Sequence, residues 1–410
     1  IVDMGRIDAF WSVNNTYSRI ERWDNPDDGQ LVTAFYDKNG SLFLRGDAVG
    51  RFPESSINTD EFDEQVILHE WGHFFEDQLA RSDSVGGYHQ LPGVVEPRVA
   101  FGEGWGYGIG AIAANDPVGC DTVQPASFGS RLDLEDYNSH ATEQGFFNEM
   151  SIATLLWDLF DSEIDGTDTG SIGFGPIYRT MTGFQKDTEA LTTIFSFATG
   201  LRLPENVDPA DIAFIDSQLA REQIDLPGGS IDIWGSGQTS APLQWINGDS
   251  VRDLLPLYTE LVPGGATENL CVNVDARVND SHNSPGLWRY LYFTTDGLQD
   301  FTLTIQANPV PPPTSDEPGV GEPAVNDRSD PDVRLYRKGE NLAYPLPTGE
   351  YAGDPSGLSG FDDREVFDMG PLNLSAGTYG LSFHDWRYDD EARASDYPEQ
   401  VCFDFTLTAN

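Results

Sequence analysis

Residues 58–80 read NTDEFDEQVILHEWGHFFEDQLA. Apolar Phe62, Ile67, Trp71, Phe74 and Leu79 recur at helical spacing. Asn58 offers a cap with Glu61 three residues on, so the pattern predicts one helix over this stretch. Within it stand His69, Glu70, Trp71, Gly72 and His73, an HExxH motif. Two histidines four apart lie one above the other on a helix face. At that spacing both imidazoles reach one zinc ion, and Glu70 reaches the water on it as general base.

Catalytic zinc takes three protein ligands and keeps a fourth position open. No third His follows at short spacing, so the third ligand comes from further along. Glu103, in Phe101-Gly-Glu-Gly-Trp105, is the candidate, thirty residues after His73. Glycines at 104, 106, 108 and 110 alternate with apolar residues there. That texture fits a strand, or a helix that packs very closely on its neighbour.

These motifs resemble the gluzincin metallopeptidases. The closest likeness is to the fungalysin and thermolysin-like enzymes, through HExxH and Gly102-Glu103-Gly104-Trp105. Residues 149–157, EMSIATLLW, are similar to a later fungalysin helix, and the likeness spans roughly residues 30–160. The resemblance implies a zincin-like fold: a β-sheet over the HExxH helix and a mostly helical lower half. It also implies zinc held by His69, His73 and Glu103, with Glu70 as base. The expected activity is that of a secreted metalloendopeptidase acting on proteins or peptides. Three departures stand out. Gly106 and Tyr107 occupy the place of a family Asp that bonds a ligand histidine. Phe146 stands where a His is expected, which leaves His140, Tyr137 or Tyr178 to stabilise the tetrahedral intermediate. The Gly-x-Met-Glu-Asn motif of clan aminopeptidases is absent, which favours an endopeptidase. A zinc aminopeptidase, or a degenerate zincin serving as a binding or adhesion protein, are the competing readings.

The rest of the chain sets the context. Its 410 residues suggest two or three domains. An α+β domain is expected over 1–263, a linker over 264–268 and an all-β sandwich over 269–410. Residues 31–46 read as a hairpin around Asn39-Gly40, and 146–160 and 209–224 as helices, the last capped by Asp208 with Pro209 in its first turn. Six β-rich runs follow residue 265, around a Pro-rich acidic stretch at 308–331. Asp330-Pro-Asp332-Val, Leu374-Ser-Ala-Gly and Val401-Cys-Phe-Asp resemble pre-peptidase C-terminal domains, which implies a secretion or substrate-contact role and calcium at Asp330 and Asp332. A second calcium candidate is the loop holding Asp161, Glu163 and Asp165, an incomplete EF-hand pattern. Cys271 and Cys402 lie in strand-like runs that a disulfide would join, leaving Cys120 over; three reduced cysteines is the other reading.

With 23 Lys+Arg against 68 Asp+Glu, the net charge is −45. A field this negative repels phosphate backbones and anionic lipid, so nucleic acid and membrane surfaces are excluded as partners. No apolar run is long enough to insert in a bilayer. A monomer in an extracellular, marine or salty setting is expected. Ile1-Val-Asp-Met-Gly5 is no leader, as a processed form would lack one.

Overall fold

The computed structural model describes residues 4–11, 31, 33–38, 40–45, 57–58, 60, 62–87, 89, 94–121, 123–124, 130–135, 144–163, 170–224, 231–239, 255–273, 283, 285–297, 300–308, 329, 331–343, 364–385 and 400–410. It is a mixed α and β protein of two compact units. The first comprises residues 1–84, 98–186 and 192–229, the second residues 85–97, 187–191 and 230–410.

In the first unit, strands β1 (Asp8–Trp11), β2 (Phe35–Asp37) and β3 (Ser41–Leu44) form a sheet in the order β1-β3-β2. The predicted hairpin is β2–β3, with Phe35 opposite Phe43 and Gly40 at φ +86°, where a glycine turn is needed. Leu42 and Leu44 are buried, and the sheet lies against helix α1 (Glu64–Leu79). Tyr36 of β2 clamps it there, its ring on Phe74 and its hydroxyl donating to Asp77 Oδ2 at 2.8 Å.

Helix α1 starts six residues later than predicted. Asn58 belongs to a short strand, β4 (Ile57–Asn58), paired with β6 (Val123–Gln124). Asp63 takes the N-cap position, and Phe62 is 83% exposed rather than part of the apolar face. A cap signal is local, and here the backbone of Asn58 bonds a distant strand instead. Strands β5 (Val118–Asp121) and β7 (Ser130–Asp133) form another antiparallel pair.

The Gly-rich stretch is a helix, α2 (Pro97–Ala114). The glycines explain themselves by what a Cβ would strike. At Gly104 it would lie 2.5 Å from the Glu149 carbonyl oxygen, and at Gly108 2.8 Å from Leu156 Cδ1. Both belong to α3 (Glu149–Phe160), so α2 presses one Gly pair onto α3. Gly106 and Gly110 face α1 instead, close to His69 and Gln65. The expected close packing on α1 is therefore half of the answer. In α1 itself Gly72 takes part, since a Cβ there would sit 2.4 Å from Ile109 and 3.2 Å from the Gly106 Cα. Trp105 Nε1 donates to the Gly72 carbonyl at 3.0 Å across the same crossing.

Helix α3 is buried from Glu149 to Leu159, so it is enclosed rather than one-sided. Its cap is Asn148, whose side chain accepts from the Met150 and Ser151 amides. Helix α4 (Phe174–Arg179) runs into a π-helical turn, followed by α5 (Ile194–Leu201). The predicted 209–224 helix begins as a 3-10 turn capped by Asp208 and becomes α6 (Ile212–Arg221), tied to α3 by Arg221 on Asp158 at 2.7 Å.

The second unit holds two sheets. One runs β13 (Glu340–Ala343), β12 (Pro331–Arg337), β15 (Gly377–Asp385), β10 (Arg289–Thr295), β8 (Tyr258–Glu260). The other runs β14 (Arg364–Asp368), β11 (Phe301–Ala307), β16 (Gln400–Ala409), β9 (Glu268–Asn273). Residues in β11 and β16 alternate between buried and half-buried. Phe293 packs on Phe301 and Phe383 on Phe403 and Phe405, so the two sheets meet face to face as a sandwich. All six predicted β-runs contribute strands. The unit also takes in residues 230–263, which the sequence pattern assigned to the first domain, because β8 pairs in parallel with β10. Cys271 and Cys402 sit opposite each other on β9 and β16 and form a disulfide, while Cys120 is free and exposed. Such a bond persists in oxidising compartments. No helix among the described residues is long and apolar enough to cross a membrane.

The glycine contacts give a direct check. Gly104→Ala has a rigid carbonyl in its way and should cost about 1–3 kcal/mol of stability. Gly183→Ala, in the π-helical turn with nothing within 4 Å of the added methyl, should be neutral or stabilising. Thermal unfolding of the two variants beside wild type reads the difference.

Candidate metal centre

The crossing of α1 and α2 decides where three side chains meet. His69 and His73 are one turn apart on α1, and Glu103 comes from α2 one turn before Gly106. His69 Nε2 lies 3.1 Å from His73 Nε2 and 3.2 Å from Glu103 Oε2. His73 Nε2 lies 3.4 Å from the same oxygen. An ion bonded tetrahedrally at about 2.0–2.1 Å to nitrogen and oxygen has ligand-to-ligand edges of about 3.3 Å. The triangle of 3.1, 3.2 and 3.4 Å therefore has the size of one face of such a site. Two imidazoles and one carboxylate suit a borderline first-row cation. These residues fit a metal, and all three predicted ligands are brought together.

Glu70, one residue on from His69, is buried. So is Glu76, and Glu149 at the start of α3 is fully buried with a carboxylate oxygen within 4.8 Å of one on Glu103. Burial opposes a charged His73, but the Glu103 carboxylate, by charge and hydrogen bond, outweighs it with help from Glu70 and Glu76 and raises its pKa to about 9.

Tyr178, a predicted contributor, packs on Phe75 and Phe174. Phe75 is two residues from His73 and so lies on a different face of α1. His140 and Tyr137 lie outside the described residues. The tyrosine beside the centre is Tyr107, whose ring stands 4.4 Å from that of His69 at 63°. Its position four residues after Glu103 on one helix would have pointed to it, had the Gly-rich stretch been read as a helix. Gly106, where the family Asp was missing, is filled by the His69 ring itself: a Cβ there would be 2.7 Å from its Cε1 and Nδ1.

No known family profile matches this sequence, and no characterised protein matches it either. Among solved structures, the pre-peptidase C-terminal domain of a collagenase from Bacillus anthracis is similar at a TM-score of 0.20 and 8% identity. That match covers 37% of this chain and 94% of that one. PliG, a periplasmic inhibitor of g-type lysozyme from Aeromonas hydrophila, is similar at 0.16 and 10%, covering 37% of this chain and 97% of that one. Likenesses this faint carry no function across.

The calcium candidate at Asp161 and Glu163 is described only to residue 163, where Asp161 accepts from the Ser162 and Glu163 amides; Asp165 lies outside the described residues. Asp332 is paired in β12, and Asp330 lies outside the described residues. A different acidic group emerged: Asp60, Asp63 and Asp121 place carboxylate oxygens within 4.8 Å of one another. Asp60 and Asp63 share the turn before α1, and Asp121 joins them from β5, a pairing that no local pattern reveals. Burial pushes the Asp60 carboxyl up to about 7, against the partial relief of Arg45. Burial does the same to Glu222, also to about 7.

Both carboxyls keep a proton in the folded chain that the unfolded chain releases near pH 4. The folded state therefore binds more protons between about pH 4 and 7, and its stability falls as pH rises through that window. Asp60→Asn and Glu222→Gln should each flatten the decline, by on the order of 3 kcal/mol at pH 8 relative to pH 4. Urea unfolding of the metal-free protein across that range measures it.

Proposed function

We propose that this chain is a zinc-dependent metalloendopeptidase with a zincin-like catalytic unit. The observation that supports this best is the 3.1–3.4 Å triangle of His69, His73 and Glu103 with Glu70 buried next to it. Zinc held by these three supplies an acidified water and Lewis-acid polarisation of a carbonyl. Glu70 holds the proton removed from the attacking water and passes it to the leaving amine as the peptide bond breaks. Its burial keeps that carboxylate away from bulk water and close to where charge develops.

The substrate lies extended. In the sheet order β1-β3-β2 the middle strand of the three is already paired on both sides, which leaves β2 of the predicted hairpin as an edge. Strand β2 also packs on α1 through Tyr36 and Phe74. A peptide adding to β2 through main-chain hydrogen bonds is thus led alongside the helix that carries the histidines. The β-sandwich serves as an accessory module of the pre-peptidase C-terminal type, and the disulfide suits export.

Zinc content and cleavage of an unfolded protein substrate test the reading together. Glu70→Gln should retain zinc and lose activity by roughly 100-fold or more, whereas His73→Ala should lose both. A Glu70→Gln protein that cuts at the wild-type rate would sink the assignment, as would zinc-loaded wild type that cuts nothing.

A further inference from the structure

On the zinc reading, each ligand imidazole gives one ring nitrogen to the ion and has one left over. The spare nitrogen usually donates to a carboxylate, carbonyl or water, which fixes the tautomer and stops the ring turning. His69 departs from this. Its Nε2 faces His73 and Glu103, and its Nδ1 is buried with no hydrogen-bond partner among the described residues. The ring is still tightly enclosed. The backbone of Gly106 lies so close that a Cβ would fall 2.7 Å from Cε1 and Nδ1. The ring of Tyr107 approaches to 4.4 Å at 63°, and that of His73 to 4.8 Å at 85°. Edge-on aromatic contacts of this kind are attractive and directional.

We propose that Tyr107 is a positioning residue for the metal centre: with the bare backbone of Gly106 it holds the His69 imidazole by ring packing, in place of a hydrogen bond at Nδ1. This rests on the zinc reading and adds to it. The aromatic ring and not the hydroxyl does the positioning. Removing the oxygen leaves the contact, and removing the ring lets the imidazole turn away from the ion.

The test is zinc affinity of the full chain, titrated against a chromophoric chelator. Tyr107→Phe should bind within about threefold of wild type, whereas Tyr107→Leu should bind about tenfold or more weakly. Equal affinity of the Leu variant and wild type overturns the proposal. So does a Phe variant as weak as the Leu variant, because the hydroxyl would then be the essential group. A second measurement needs no variant at position 107. With six histidines in the chain, 15N-histidine labelling of the zinc-bound wild type resolves the His69 Nδ1 proton. It should lack the downfield shift of a hydrogen-bonded imidazole N–H, and a strongly downfield resonance would refute the packing account. Zinc-binding wild type with an unaffected Leu variant removes only the role of Tyr107. Wild type that takes up no zinc removes the zinc reading with it.

Discussion

The first unit is organised by one backbone contact, the crossing of α1 over α2 at Gly72 and Gly106. Neither residue carries a Cβ, and the space of both is already taken, by Ile109 and by the ring of His69. The Trp105 indole bonded to the Gly72 carbonyl fixes how the helices are rotated against each other. Ordinary side chains hold two helices about 8–10 Å apart, and bare backbone at a crossing lets them come closer. Gly72 thus belongs to the candidate metal centre although it offers no ligand atom.

The same close approach concentrates charge. Glu70, Glu76 and Glu149 are buried and Glu103 nearly so, beside the imidazoles of His69 and His73. Burying carboxylates without compensation is costly, and the raised pKa of His73 is the protein's own partial answer. A divalent cation answers it more fully. A metal held there would compete with a proton on His73, so affinity would depend on pH.

What the sequence reveals depends on whether the cause is local. HExxH is a spacing rule within one helix, so His69, Glu70 and His73 were legible outright. Glu103 needed a family likeness, because nothing in its own neighbourhood says that α2 will cross α1. The alternation of β11 and β16 was legible, since each strand has one face on the core. The start of α1 was not, because Asn58 answers to β6, more than sixty residues on. Tyr107 was hidden behind glycines that could equally have signalled a strand. Asp121 meets Asp60 and Asp63 only through tertiary folding.

On the proposed function, the disulfide between β9 and β16 bears on a hazard that an enzyme cutting proteins meets in its own copies. The bond joins residues 131 apart, enclosing nearly the whole sandwich, the Pro-rich acidic stretch included. A nick anywhere inside that span severs the chain but not the molecule. Both fragments stay linked, with β9 and β16 still side by side in one ladder. Self-digestion there would leave a clipped yet assembled protein, its wear invisible until the sulfurs are reduced.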